Sequence, residues 1–219
     1  MTSLQKQPDR FRVVIFGSAR LKEDNPSYTQ VRELSTMIAA AGYDIVTGGG
    51  PGIMDAALRG HYEAKHPEAR AIGLPIKLPH EDTESEYAEI LIRFKRFGDR
   101  LDTFMALADA VIVAPGGIGT LLELFYTIQL MQVKHTSPVP IILLGEHWPG
   151  LVQWIREGPL ADGMLNAKDL DVLLFAETND EVMRILKDAH ARNGSSVNLL
   201  KYPSHAAMLA STATRDQGL

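Results

Sequence analysis

The 219-residue chain contains no cysteine, which excludes a disulfide framework, a thiolate nucleophile, a cysteine-ligated zinc site and an iron–sulfur cluster. It has no apolar run near the roughly 20 residues that a membrane-spanning helix needs. It also lacks an excess of positive charge, because 22 Lys and Arg against 27 Asp and Glu give a formal net charge of −5. This balance argues against a nucleic-acid polymer or a membrane surface as partner. Residues 1–12 lack the apolar stretch of a secretory signal, so we expect a cytoplasmic protein.

Several common catalytic motifs are missing as well. Neither glycine cluster contains G-x-G-x-x-G, and the sequence has no G-x-x-x-x-G-K-[ST], G-x-S-x-G or H-E-x-x-H. The seven histidines are scattered along the chain. We therefore expect no metal site and no organic cofactor, and we do not expect a dinucleotide-dependent oxidoreductase, a P-loop NTPase, a serine hydrolase or a zinc protease.

Short β-branched segments alternate with helical patterns along the chain, which is typical of an α/β fold. Seven segments are predicted strands: residues 11–16, 44–47, 70–74, 89–92, 109–114, 139–144 and 172–175. The alternation predicts a Rossmann-like, doubly wound parallel sheet of about seven strands with helices on both faces. We expect one nucleotide-binding domain over residues 11–192, an N-terminal extension over 1–10 and a C-terminal extension over 193–219.

Three predicted strands end in glycine, at Gly17, at Gly48–Gly50 and at Gly116–Gly119. Ligands of parallel sheets bind beyond the carboxyl ends of the strands, so we expect the functional site at these turns. Glycine lets a ligand approach the backbone closely, and the next helix directs unpaired N–H groups at it, which suits a phosphate. A plain strand–helix turn without a ligand is the alternative. Ser18 and Arg20 could bind a ligand phosphate or base, or simply form a turn.

Glu123 allows two interpretations. The segment Thr120-Leu-Leu-Glu123 has the spacing of a capping box, in which the glutamate only returns a hydrogen bond to the Thr120 amide. Alternatively, the carboxylate faces the ligand and takes part in the chemistry. A glutamine could serve in the cap but carries no charge, so the two roles are separable by substitution.

Arg100 lies in a predicted helix over residues 94–108. Its neighbours at i−3 and i+4 are Phe97 and Phe104, which we expect to point inward. An arginine at the edge of an apolar face needs an anionic partner, either a carboxylate or a ligand phosphate.

Three motifs occur in an order and spacing that resemble the LONELY GUY (LOG) family: Gly17-Ser-Ala-Arg20, Gly48-Gly-Gly-Pro-Gly-Ile-Met54 and Pro115-Gly-Gly-Ile-Gly-Thr-x-x-Glu123. The similarity runs from about Phe11 to Arg192, and the last motif is the most specific. The resemblance implies a Rossmann-like dimer or larger assembly. It also implies the activity of a cytokinin riboside 5′-monophosphate phosphoribohydrolase, or of related members that cleave ordinary nucleoside monophosphates. Older names call many members lysine decarboxylases, but no pattern here points to pyridoxal-phosphate chemistry.

The resemblance assigns roles to matching positions, with Glu123 and Arg100 as the catalytic pair. The remaining motif positions are the candidate substrate-binding residues: Gly17, Ser18, Arg20, Gly49, Gly50, Gly52, Met54, Gly116, Gly117, Gly119 and Thr120. One departure concerns the surroundings of Arg100. Family members commonly have a histidine two residues before this arginine and a lysine just after it, whereas this chain has Gly98 and Leu101.

These features together predict a hydrolase that cleaves the N-glycosidic bond of a nucleoside 5′-monophosphate, AMP or an N6-substituted AMP such as a cytokinin ribotide. The helix at Gly119 would bind the 5′-phosphate, and Glu123 would face the ribose and oppose its oxocarbenium-like charge or orient water. The predicted helix after Gly119 is apolar almost all round, which is typical of a buried helix or a subunit contact, so we expect a homodimer. The alternative function is a non-catalytic nucleotide- or cofactor-binding carrier or sensor with the same cradle.

Overall fold

The computed structural model describes residues 10–76 and 84–193, and the predicted extensions therefore lie outside the described residues except for residues 10 and 193. The described strands are β1 Arg12–Phe16, β2 Asp44–Thr47, β3 Ala71–Gly73, β4 Ile90–Leu91, β5 Ala110–Val113, β6 Ile141–Leu144 and β7 Leu173–Ala176. The α-helices are α1 Pro26–Ala40, α2 Ile53–Glu63, α3 Phe97–Leu107, α4 Ile118–Gln132, α5 Trp148–Ile155 and α6 Asn179–Asn193. No helix in the described ranges is long and apolar enough to cross a membrane.

The seven strands form one parallel sheet in the order β4-β3-β2-β1-β5-β6-β7. From the central strand β1 the chain moves outward through β2, β3 and β4, and it then crosses to β5 on the other side of β1. The direction reverses between β1 and β5, so the loops that leave these two strands diverge. Such a switch point at the carboxyl edge is where open α/β sheets bind their ligands.

Helices cover both faces of this sheet. On one face Val14 and Phe16 of β1 belong to a buried cluster with residues of α3, α4 and α5. On the other face Val13 and Ile15 belong to a second cluster with residues of α1, α2 and α6. Because both faces are buried, the central strands are continuously apolar rather than alternating. The predicted doubly wound α/β fold is confirmed.

Candidate functional site

Three glycine-containing loops follow β1, β2 and β5, and backbone hydrogen bonds join them at the carboxyl edge of the sheet. The Ser18 N–H donates to the Pro115 carbonyl at 3.0 Å, and the Ile53 N–H donates to the Ser18 carbonyl at 2.9 Å. Ser18 thus connects the β1 loop to both of the others. The structure brings the three predicted glycine turns together at the switch point.

Two of the glycines, Gly17 and Gly52, are needed for close packing within the protein. A Cβ on Gly17 would lie 2.3 Å from Cγ2 of Ile53. Gly52 has a φ of +71°, and its Cβ would lie 2.3 Å from the Ser18 carbonyl oxygen. These glycines allow the loops to pack tightly against each other. Their role as substrate contacts stays a prediction.

The loop after β5 is accessible to a ligand at Gly117 and Gly119. Both glycines are exposed, and a Cβ on either would meet no atom of the described residues within 4 Å, apart from its chain neighbours and the adjacent helix backbone. A Cβ on Gly116, in contrast, would lie 2.1 Å from Oγ1 of Thr120. The open glycines lie at the N-terminus of α4, where the first backbone N–H groups have no helical acceptor. An anion can approach this turn without displacing protein atoms.

The start of α4 decides between the two interpretations of Glu123. The helix begins at Ile118 and its N-cap is Gly117, so Thr120 is the third helical residue and is buried. A capping box requires its first residue at the N-cap position, outside the helix. The capping-box interpretation is therefore wrong.

The Glu123 carboxylate is paired with Arg100 in a nearly buried position. Oε1 of Glu123 lies 3.8 Å from Nη1 of Arg100, and the two side chains are 14% and 11% exposed. This distance exceeds the roughly 2.8 Å of a direct charge-assisted hydrogen bond. Within residues 10–76 and 84–193, no group donates a hydrogen bond to this carboxylate. Its oxygens can therefore accept from a ligand hydroxyl or a water molecule.

Burial controls the protonation of Glu123. Loss of hydration raises the pKa of this carboxyl from 4.5 to about 7, and the positive charge of Arg100 opposes that rise only in part. Near neutral pH the group is therefore poised between its charged and neutral forms. A carboxylate with a pKa close to the working pH is suited to general acid–base chemistry.

Arg100 is held in place by the ends of two strands. Its Nε donates to the Leu74 carbonyl at 2.7 Å, and its Nη2 donates to the Gly48 carbonyl at 3.4 Å. The guanidinium carbon lies 5.2 Å from the centroid of the Phe104 ring. The lack of a side chain at Gly48 permits this approach, because a Cβ there would lie 2.2 Å from Nη2. The predicted anionic partner of Arg100 is thus a carboxylate, that of Glu123.

The second glycine loop borders Arg100. Gly49 has a φ of +75°, and its N–H donates to Oγ1 of Thr47 at 3.0 Å. Met54 folds back over this loop, since a Cβ on Gly48 would lie 2.5 Å from its sulfur and one on Gly50 would lie 3.0 Å from its terminal methyl. The loop therefore presents backbone and a thioether beside the guanidinium.

Ser18 and Arg20 form the turn that was one of their two predicted roles. The Arg20 N–H donates to Oγ of Ser18 at 3.1 Å, and the side chain of Arg20 is exposed. An exposed cation above β1 can still reach a ligand, so its role in binding stays a prediction.

The start of α3 differs from expectation. Phe97 was predicted to point inward, but it is 49% exposed, whereas Phe104 is fully buried. The reason is that the helix begins at Phe97, which therefore lies in its first turn and not in its interior. Gly98 is exposed as well, and within residues 10–76 and 84–193 a Cβ on it would meet no atom within 4 Å outside its own helix backbone. The position of the missing histidine is therefore open, while Leu101 at the position of the missing lysine is buried.

A hydrogen-bonded group behind the second glycine loop was not predicted from the sequence. Asp55, in the first turn of α2, accepts from the Tyr28 hydroxyl at 2.7 Å and from Oγ of Ser85 at 2.6 Å. The Ser85 N–H donates to the Gly49 carbonyl at 2.9 Å. This group attaches the segment before β4 to the glycine loop. The only signal in the sequence is an acid just after the Gly-Pro-Gly turn.

Comparisons with known proteins identify related sequences and a shared fold. The family model described as "Possible lysine decarboxylase" matches residues 54–186. A pyrimidine/purine nucleotide 5′-monophosphate nucleosidase of Escherichia coli K12 is 28% identical over 141 residues, which is 61% of this chain but only 30% of that protein. A cytokinin riboside 5′-monophosphate phosphoribohydrolase of Mycobacterium marinum is 28% identical over 84% of this chain and 97% of its own. The solved molybdenum cofactor binding protein of Rippkaea orientalis shares the fold, with a TM-score of 0.63 at 19% identity over 82% of this chain and 96% of that one.

Proposed function

Because the chain belongs to the LOG family, whose model is the one described as possible lysine decarboxylase, we propose that it hydrolyses nucleoside 5′-monophosphates. The reaction breaks the N-glycosidic bond with water and releases the free base and ribose 5-phosphate. AMP or an N6-substituted AMP is the proposed substrate. The observation that carries the proposal is the nearly buried Glu123 carboxylate, which has no hydrogen-bond donor among the described residues and lies 3.8 Å from Nη1 of Arg100.

The proposed phosphate position is the first turn of α4. Its exposed glycines leave room for the phosphate oxygens, and its free N–H groups can donate to them. The helix dipole alone contributes about 0.3–2 kcal/mol, so several converging hydrogen bonds must supply most of the affinity. The residue Glu123 lies four positions after Gly119, roughly 6 Å further along the helix axis. A bound phosphate at Gly119 therefore places the sugar beside this carboxylate.

The proposed chemistry follows from charge. Cleavage of the glycosidic bond leaves positive charge on the ribose ring. A carboxylate ~4 Å away stabilises a full unit charge by about 4 kcal/mol at an effective dielectric constant of 20, and a partial charge by less. The ionised Glu123 can also accept a proton from the attacking water, since its pKa is raised to about 7. Arg100 keeps part of the Glu123 population ionised at neutral pH.

The direct test is incubation with AMP, CMP and N6-isopentenyladenosine monophosphate, followed by chromatography of the products. We expect free base and ribose 5-phosphate in equal amounts from at least one of these nucleotides. Adenosine, which lacks the phosphate, is the control and should be cleaved far more slowly. Failure to release base from any nucleotide in a broad panel of monophosphates would contradict the proposed reaction.

A second candidate function is a non-catalytic carrier or sensor of a nucleotide or cofactor. Two observations favour it: Arg100 lacks the basic neighbours at 98 and 101, and the fold is shared with a protein that binds the molybdenum cofactor. The same incubation separates the two functions. A carrier would raise its melting temperature with a nucleotide or cofactor and leave the glycosidic bond intact.

Gly119→Ala tests the phosphate position. Beyond its own helix backbone, the added methyl meets no atom of a described residue within 4 Å, and alanine favours a helix over glycine by up to about 1 kcal/mol, so the melting temperature should not fall. The methyl occupies space that the proposed phosphate needs, and we expect KM for AMP to rise by about tenfold or more, equivalent to roughly 1.4 kcal/mol. Steady-state kinetics and thermal denaturation measure the two effects.

The matched control is Gly150→Ala, which adds the same methyl to another open helical glycine, in α5. It should leave KM unchanged. If Gly119→Ala also leaves KM unchanged, the phosphate does not bind where we propose.

We further propose that the protein is a cytoplasmic homodimer that uses the exposed face of α4. Ile118, Leu122 and Phe125 are exposed at helical spacing on this face. Exposed apolar side chains on one helical face suit a contact with another subunit. Light scattering tests the contact: a mass of twice 24.1 kDa supports it and a monomer contradicts it.

A further inference from the structure

Phe97 is an exposed aromatic ring at the ligand-binding edge of the sheet. It is the first residue of α3, and about half of its surface is accessible. The helix follows a parallel strand, β4, so its N-terminus lies at the carboxyl edge, together with the three glycine loops. Among the exposed large apolar side chains of the described residues, Phe97 is the one on α3.

Phe97 lies on the same helical face as Arg100, because residues three apart are neighbours on a helix surface. Helical side chains lean towards the N-terminus of their helix. The side chain of Arg100 reaches the carbonyls of Leu74 and Gly48, at the ends of β3 and β2. Phe97 is therefore one turn further out than the guanidinium, at the outer edge of the site.

In the proposed orientation of the nucleotide, its base lies near Phe97. Arg100 spans the site from the ends of β3 and β2 on one side to Glu123 of α4 on the other. With the phosphate at the N-terminus of α4 and the ribose at Glu123, the base must extend away from α4. It then lies against the first turn of α3. Gly98 has no side chain to fill the adjoining space, and a Cβ there would meet nothing within 4 Å in the described part of the chain beyond its own helix backbone.

We propose that the Phe97 ring stacks on the base of the nucleotide and favours purines over pyrimidines. A base offers a flat π surface, and an aromatic side chain that stacks on it typically changes binding by about fivefold to a hundredfold. A purine overlaps a phenyl ring over a larger area than a pyrimidine does. This inference rests on the proposed function, because it takes the nucleotide position from it. It adds the residue that recognises the base.

The test compares ligands with and without a base. Dissociation constants for AMP, UMP and ribose 5-phosphate are measured by calorimetry, with Glu123→Gln as the background because its expected loss of rate limits the consumption of nucleotide during the titration. We expect Phe97→Ala to weaken AMP binding by about tenfold to a hundredfold and UMP binding by less. Binding of ribose 5-phosphate should change by less than about twofold, since it makes no stacking contact. Phe97→Trp, which keeps an aromatic face, should bind AMP within about threefold of the parent protein.

Phe175→Ala is the matched control. Phe175 is also a half-exposed phenylalanine, 45% accessible, but it lies on β7 at the far edge of the sheet. Its removal should change none of the three constants. Equal weakening of AMP and ribose 5-phosphate by Phe97→Ala, or no weakening of AMP, would overturn the stacking role alone. Failure of both the unaltered protein and the Glu123→Gln background to bind any nucleotide would instead overturn the proposed function, and the stacking role with it.

Discussion

Glu123→Gln is expected to lower the rate of base release by about 10²- to 10³-fold, the scale of losing one preorganised electrostatic contact. Glutamine has nearly the same volume but no charge to oppose the oxocarbenium-like transition state. The melting temperature should hardly change, because the Glu123 side chain is not a helix cap and accepts no hydrogen bond from the described residues. Initial rates and thermal denaturation on the same preparation measure both quantities.

The pH dependence supplies an independent readout of the same carboxylate. The pKa of Glu123 in the folded protein is raised to about 7, and the proposed active form is the ionised one. The rate should therefore increase with pH through about 7 in the unaltered protein, and this increase should disappear in Glu123→Gln. Glu146→Gln, an isosteric change at an exposed position after β6, should retain both the rate and its pH dependence. Full turnover in Glu123→Gln would remove this residue from the mechanism.

Linkage predicts the opposite trend for stability. The folded pKa of Glu123 exceeds its ordinary value, so the stabilisation from the neutral form is fully present below about 4.5 and is lost as the pH rises through about 7. The protein thus carries the proposed catalytic carboxylate at a cost to stability in the pH range where the proposed reaction runs. That combination is common where burial tunes an active-site acid.

The sheet could be predicted because strands that are buried on both faces are continuously apolar in sequence. Residues 110–114 form a continuous apolar run, and the structure places β5 beside β1 with both faces covered. The start of α3 was predicted less accurately than the sheet. The helical spacing of apolar residues begins at Phe94, but that residue forms a bridge with Ile76, and the helix begins only at Phe97. Periodicity reports which positions are buried and does not distinguish a buried bridge residue from a buried helical one.

At the site, the arrangement of the backbone could be predicted from the sequence, whereas the side-chain contacts could not. The convergence of the glycine loops follows from strand direction alone, since carboxyl ends of parallel strands share an edge. The sequence could not decide between the two interpretations of Glu123, because Thr120-x-x-Glu123 has the spacing of a capping box. The structure excludes the capping box because α4 begins at Ile118, two residues before Thr120. The contact of Asp55 with Ser85 joins residues 30 positions apart and depends on tertiary structure.

Arg100 acts on Glu123 through charge, and its two hydrogen bonds to strand ends fix where that charge lies. Burial alone raises the pKa of the carboxyl, and the guanidinium is the charge that lowers it. Without Arg100 the pKa of Glu123 should therefore lie further above 7, and little of the ionised form would remain at neutral pH. Lysine carries the same charge but lacks the forked donors that reach both carbonyls, so Arg100→Lys separates charge from geometry.

Arg100→Ala is accordingly expected to lower the rate at pH 7 by about 10²-fold or more, because it removes both an electrostatic contact in the site and the ion that keeps Glu123 charged. Raising the pH should restore part of this loss, since the higher pKa is overcome as the carboxyl ionises. Arg100→Lys should show a smaller shift of the pH profile but a persistent loss of rate. The double variant with Glu123→Gln should lose less than the product of the two single losses, because both changes act on one charge. An unshifted pH profile in Arg100→Ala, or strictly multiplicative losses in the double variant, would show that Arg100 contributes only to phosphate binding or to folding.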